Sequence, residues 1–237
     1  MLLIRRKFGY DIIVECIFSV VLLNKKIYIL IIPYGIISNT MLTKTQLKII
    51  AYLINNKNKL LGIRELAKEI SCVYYLVQRN IHQLKEKNII NIQKAGKTNL
   101  IILNREVDYL YLVEAEKFKR DLFYKKYPSL KIMLKKIIKQ SKSSFFILIV
   151  FGSYAKEQVR KDSDLDLLVI VPNQKQAEII EKVISSIARI SPIKIHETII
   201  TEKSFALMSQ KKELNVVLEA KDKHILIYGN ELYYKLA

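Results

Sequence analysis

The amino-acid sequence predicts an α+β protein made of two successive parts. Three observations lead there. Between residues 43 and 87, apolar residues recur at helical spacing in three short stretches, and two β-rich runs follow around Ala95-Gly96-Lys97. From residue 145 onward, continuous apolar β-rich runs alternate with helical patterns. The chain has 237 residues of which 51% are apolar, so it can bury a sizeable core and is not a disordered polymer.

The elements of the first part follow in order. Thr43–Asn55 reads as a helix capped by Thr43, with Leu47, Ile50, Leu53 and Ile54 on one side. Residues 55–61 read as a polar connection. Ile63–Ile70 is a second helix with Leu66 and Ile70 turned inward, and Ser71-Cys72 a tight turn. Val73–Lys87 is a third helix whose inner face carries Val73, Val77, Ile81 and Leu84. Ile89–Gln93 and Asn99–Leu103 are the strands of a hairpin. Three helices followed by a hairpin are the parts of a winged helix-turn-helix. Over residues 41–106 twelve Lys and Arg face four Glu, a net charge of +8 within a whole-chain excess of +18. Such an excess suits a polyanionic partner, though a Lys-rich composition spread over all surfaces would produce it too.

If the third helix reads DNA, the side chains outside its inner face do the reading. Tyr74, Tyr75, Gln78, Arg79 and His82 then point outward. Gln78 and Arg79 suit base edges, Tyr75 suits phosphate or sugar, and Lys94 and Lys97 at the wing tip suit the backbone. The segment Thr43–Asn104 resembles archaeal and bacterial winged-helix domains, which serve in DNA binding and also in protein contacts.

Residues 107–142 read as a helical connector, Arg105–Lys125 and Leu130–Gln140, broken at Pro128. In the region 143–237, Phe145–Phe151, Leu165–Val171 and Ile193–Ile200 read as strands and Gln174–Arg189 as a helix. Lys203–Met208 and Leu214–Ala220 are short helices, His224–Tyr228 is a last strand and Glu231–Leu236 a terminal helix.

The chemistry-bearing stretch is Phe151 to Val169. A buried strand runs into Gly152-Ser153, with a short helix expected just after. Glycine lets the backbone turn sharply and approach a ligand. Free N–H groups at the helix start and the Ser153 hydroxyl suit phosphate oxygens. Asp164 and Asp166 lie two apart at the start of the next strand, so both carboxylates share one face while Leu165 turns into the core. Two hard oxygen donors side by side suit Mg²⁺ bound together with substrate phosphates. Taken alone, these aspartates also fit an acidic solvated turn.

The ordered pattern of strand, Gly-Ser, ten residues (Tyr154–Ser163), Asp-x-Asp and strand resembles the minimal nucleotidyltransferases of the polymerase-β superfamily. The resemblance covers Phe145 to Tyr234. It implies a small mixed sheet with helices on one side. It also implies nucleotidyl transfer from an NTP, with ATP expected, and Mg²⁺ held by Asp164 and Asp166. The nucleotide is expected on Gly152, Ser153 and Lys156. Ala155 and Lys156 match the family's small and basic positions, while Glu157 stands where the family often has glycine. The family's third carboxylate comes from a later strand, here Ile-Lys-Ile-His-Glu-Thr-Ile-Ile, which holds no Asp. Glu197 takes that part, or His196 does, or the third group is missing.

The resemblance further implies an acceptor hydroxyl on a protein partner, as in toxin–antitoxin pairs where the partner is a small helical protein of the HEPN class. The alternative is a DNA-binding regulator whose nucleotidyltransferase domain senses nucleotide without reacting. Self-association is compatible with either.

Residues 1–40 are more apolar than the rest, with runs at Ile12–Leu23 and Ile27–Ile37. Neither run reaches the roughly 20 residues of a membrane span, and no cleavage site follows the basic Arg5-Arg6-Lys7. Three readings stay open: upstream sequence before a true start at Met41, a membrane-associated hairpin, or a strand pair packed on the core. Cys16 and Cys72 lack zinc or disulfide spacing, and His82, His196 and His224 are scattered, which fits a cytoplasmic protein without a His/Cys metal centre.

Overall fold

The computed structural model describes residues 16–23, 26–33, 42–57, 59–96, 98–141, 145–211 and 213–236. The chain divides into two compact units, Met1–Leu42 and Thr43–Ala237. In the first, β1 (Cys16–Leu23) and β2 (Lys26–Pro33) pair antiparallel, with Cys16 opposite Pro33 and Leu23 opposite Lys26. Among the described residues no helix is long and apolar enough to cross a membrane.

The second unit opens with α1 (Lys44–Ile54). Thr43 caps it as expected: its hydroxyl accepts from Gln46 N (3.2 Å) while Gln46 Oε1 accepts from Thr43 N (2.9 Å). β3 (Leu61–Gly62), α2 (Ile63–Glu69), α3 (Tyr74–Glu86), β4 (Ile90–Ala95) and β5 (Thr98–Leu103) complete a winged helix-turn-helix arrangement. Its sheet has the order β3-β5-β4, all antiparallel. The polar connection expected at 55–61 therefore ends in a strand, two residues long and too short to leave a periodic signal. Ile49, Ile50, Leu66, Val77, Ile81, Leu84 and Ile89 form a solvent-free core.

Val73 was expected in that core and is instead 67% exposed. It is the N-cap of α3, with extended backbone (φ −64°, ψ 133°), so helical periodicity does not govern where it points. A polar seam joins α1 to α3: the Thr43 hydroxyl donates to Asn80 Oδ1 (2.9 Å) and Gln46 Nε2 to Gln83 Oε1 (3.0 Å).

α4 (Tyr109–Lys126) and α5 (Pro128–Gln140) follow. The break between the helices falls at Pro128 as expected, and Pro128 itself starts α5, because the first helical position needs no N–H donor. The remaining elements are β6 (Ile147–Val150), α6 (Gly152–Ala155), β7 (Leu165–Val171), α7 (Gln174–Ala188), β8 (Ile195–Thr201), α8 (Glu202–Gln210), α9 (Val216–Asp222), β9 (Ile225–Tyr228) and α10 (Asn230–Leu236). The sheet is mixed, in the order β8-β7-β6-β9, with β7 and β8 parallel and the other pairs antiparallel.

Alternation along β7 divides the core. Leu165, Leu167, Val169 and Val171 pack with Leu130, Leu134 and Ile137 of α5 and Ile180, Ile184 and Ile187 of α7. Leu168 and Ile170 pack on the other face with Phe205, Val217, Ala220 and Tyr233 from α8, α9 and α10. Helices thus cover both faces, not one as the resemblance implied. β7 is the reason: nearly every residue in it is buried, so each face needs a cover.

A buried polar cluster ties the winged-helix segment to the mixed sheet. Glu116 of α4 is completely buried and accepts from Lys119 Nζ (3.0 Å), His224 Nε2 (3.1 Å) and the Tyr234 hydroxyl (3.1 Å). Lys119 also donates to Asn55 Oδ1 (2.7 Å) at the end of α1, and Asn55 Nδ2 donates to His224 O (3.5 Å).

Candidate functional site

The site is built where β6 ends and β7 begins. Phe151 N donates to Asp166 O (3.1 Å), which holds the turn after β6 against the start of β7. Gly152 then takes φ +63°, a conformation that L side chains rarely adopt. Its Cα lies so close to the Asp166 carboxylate that a Cβ there would run into Asp166 Oδ2 and stand 2.9 Å from Cγ. The glycine is thus required twice, by backbone conformation and by the approach of the aspartate. Ser153 follows in α6, and Lys156 N closes that turn on Gly152 O (3.0 Å). Tyr154 is buried and packs edge-on against Tyr127, with ring centroids 5.3 Å apart.

Glu157, at the position where the resembled family often has glycine, has φ +58°. The local backbone keeps the left-handed geometry although a side chain is present. Lys126 Nζ lies 3.7 Å from its carboxylate.

Register in the parallel pair places the acidic groups. Asp166 stands opposite His196, and Leu167 opposite Glu197. Lys194 Nζ donates to Asp164 Oδ2 (3.0 Å), and His196 Nδ1 lies 3.4 Å from Asp166 Oδ1. Asp164, Asp166, Lys194 and His196 therefore share one side of the sheet. Glu197 belongs with Leu167 on the opposite side, where α5 and α7 pack, and is not brought to the aspartates. The strand offers an imidazole, not a carboxylate, beside Asp166.

Gly152, Ser153, Lys156, Gln158, Arg160, Ser163, Asp166 and Glu219 line one cleft of about 690 Å³. Lys156 Nζ donates to Glu219 Oε1 of α9 at 2.8 Å. Arg160, in the loop between the two halves of the motif, has its backbone pinned there: Arg160 N donates to Ser163 Oγ (2.8 Å). Gln158, Arg160, Ser163 and Glu219 did not emerge from the sequence. Arg160 left a usable signal, as a cation inside the ten-residue spacer. Glu219 left none, because its partner lies 63 residues away.

Asp164 and Asp166 fit a divalent cation of the Mg²⁺ kind. They are two hard oxygen donors two residues apart at the start of β7, and Asp166 faces a turn with room for no Cβ. Among the described residues no group of three or more His, Cys, Asp or Glu could hold a metal by protein ligands alone. That donor set suits an ion completed by water and phosphate oxygens.

The outward face of α3 is as expected. Tyr74, Tyr75, Arg79 and His82 are exposed and Gln78 is half-buried, while Val77, Asn80, Ile81 and Leu84 face inward. The Arg64 guanidinium sits 5.8 Å from the Tyr74 ring centroid. Lys94 is exposed on β4; Lys97 lies outside the described residues.

Residues 131–224 match the family model described as a nucleotidyltransferase domain. The match begins within α5 and ends just before β9. No curated protein matches the chain. Among solved structures, AF1382 from Archaeoglobus fulgidus is 17% identical over 35% of this chain and 88% of its own, with a TM-score of 0.29. ZitR of Lactococcus lactis, as a point mutant, is 20% identical over 39% of this chain and 62% of its own, at a TM-score of 0.32. TrmBL2, described as an archaeal chromatin protein with a novel mode of DNA binding, is 16% identical over 81% and 79%, at 0.26. These three likenesses are too slight to carry an argument.

Proposed function

We propose that the chain is a Mg²⁺-dependent nucleotidyltransferase that moves a nucleoside monophosphate from an NTP, with ATP the expected donor, to an acceptor hydroxyl on a partner protein, and that it also binds DNA. The observation that carries the reading is the Gly152 turn pressed against Asp166 in a cleft that also holds Ser153, Lys156 and Arg160. Backbone N–H groups and the Ser153 hydroxyl cradle phosphate oxygens, and Lys156 and Arg160 offset their charge. Asp164 and Asp166 hold the cation, which when bound neutralises phosphate charge and orients the transferring group.

DNA binding rests on the exposed Tyr75 and Arg79 and the half-buried Gln78 of α3, the exposed Lys94 and the +8 net charge of residues 41–106. Lys97 belongs to the same proposed contact by sequence. A small helical partner of the HEPN class, encoded beside this chain and regulated by it in the cytoplasm, fits both halves.

The test is incubation with labelled ATP, Mg²⁺ and the product of the neighbouring gene. Label on the partner that disappears in Asp164→Ala/Asp166→Ala is the expected result. ATP binding without label on any protein refutes transfer and favours the second reading, a nucleotide-sensing DNA-binding regulator. One observation favours that second reading: His196 stands where a third carboxylate would face Asp166.

A further inference from the structure

The cleft has an acidic group that the strands do not supply. Glu197 is on the wrong side of the sheet, yet Glu219 lines the same cleft as Gly152, Ser153 and Asp166. Its place follows from packing. α9 covers the face from which Asp166 projects, because Val217 and Ala220 pack with Leu168 and Ile170, the next residues on that face of β7. Glu219, between those two helix positions, is left facing the cleft. Its carboxylate holds Lys156 at 2.8 Å, a cation that follows Gly152-Ser153 and lines the same cleft.

We propose that Glu219 is the third acidic group of the site: it holds Lys156, yields it to the polyphosphate of a bound nucleoside triphosphate, and then accepts the acceptor's proton. The step rests on the transferase reading above. The acceptor oxygen bonds to the α-phosphorus, and the bond from that phosphorus to the bridging oxygen breaks. Pyrophosphate leaves with the electron pair, and the acceptor's proton passes to Glu219. The Lys156–Glu219 contact is part-exposed, with 32% and 40% of the two side chains accessible, so a polyphosphate can displace it at small cost.

Two readouts move in opposite directions, which a merely structural residue would not produce. Glu219→Gln removes the competitor for Lys156 and is expected to bind ATP with Mg²⁺ about two- to fivefold more tightly by calorimetry. That gain should vanish in Lys156→Gln/Glu219→Gln compared with Lys156→Gln. In the labelled-ATP assay Glu219→Gln should lose about a hundredfold or more of transfer. Unchanged thermal unfolding of the variant checks that the fold is intact. ATP binding no tighter than wild type, or transfer at the wild-type rate, overturns the proposal. Wild-type protein that binds ATP but labels nothing refutes the transferase reading and the proton-accepting role together, and the binding cycle still decides the exchange of Lys156.

Discussion

Replacing Glu116 by glutamine perturbs the point where the winged-helix segment meets the mixed sheet. Glu116 is completely buried, and burial alone would raise its pKa; the Lys119 ammonium, and after it His224, instead hold it at about 2. Burial lowers the Lys119 and His224 pKa values, with Glu116 opposing in both cases. The carboxylate accepts from three donors, Lys119, His224 and Tyr234. Glu116→Gln strands the Lys119 ammonium, and losing one partner of a buried pair costs about 3–5 kcal/mol. Urea unfolding at pH 7 should therefore show a loss near 3 kcal/mol, and thermal unfolding a fall of about 6–12 °C. Lys119→Met added to Glu116→Met should recover part of the loss, because no unpaired charge remains. The pH dependence has a definite sign. The unfolded chain protonates this Glu before the folded one does, so its stabilisation is full above about 4.5 and is lost as pH falls toward 2. His224 adds a loss of the same sign that begins below its ordinary value of 6.5. A Glu116→Gln variant within 1 kcal/mol of wild type at pH 7 would refute this account.

Three further outcomes are expected. Gly152→Ala places a Cβ into the Asp166 carboxylate at positive φ; it should lower stability by about 1–2 kcal/mol and abolish ATP binding, measured by thermal unfolding and calorimetry. Glu157→Gly relieves the left-handed conformation at the cost of a freer unfolded chain, so stability should be unchanged or rise by up to about 1 kcal/mol in urea titrations. If α3 and the wing grip DNA, Arg79→Glu with Lys94→Glu should weaken retention on duplex DNA and flatten the salt dependence by roughly one unit of slope for each phosphate no longer neutralised.

Local features of the chain were legible because their causes are local. Thr43 was readable as a cap, since the N–H it accepts from lies within one turn. The run of helices and hairpin was readable from apolar spacing, and Gly152-Ser153 with Asp164 and Asp166 from period-2 alternation and a fixed spacer. Boundaries failed where periodicity stops applying. Val73 falls in phase with Val77 yet precedes the helix, and Leu61–Gly62 is too short for any pattern. Glu157 was a visible departure from the family's glycine, and its φ of +58° confirms that the backbone there wanted one.

The amino-acid sequence by itself determined the Gly-Ser turn and the Asp-x-Asp pair at the start of β7, because a glycine turn and a strand start are set by neighbouring residues. Only the tertiary structure decided which groups meet them. The parallel register of β8 on β7 set His196 beside Asp166 and turned Glu197 away; a shift of one residue would have reversed the two. Packing of α9 on Leu168 and Ile170 brought Glu219 to Lys156 across 63 residues, and burial of α4 brought Glu116 to His224 across 108. Such pairings depend on long-range packing of apolar faces, which carries no mark in the sequence near the residues it joins.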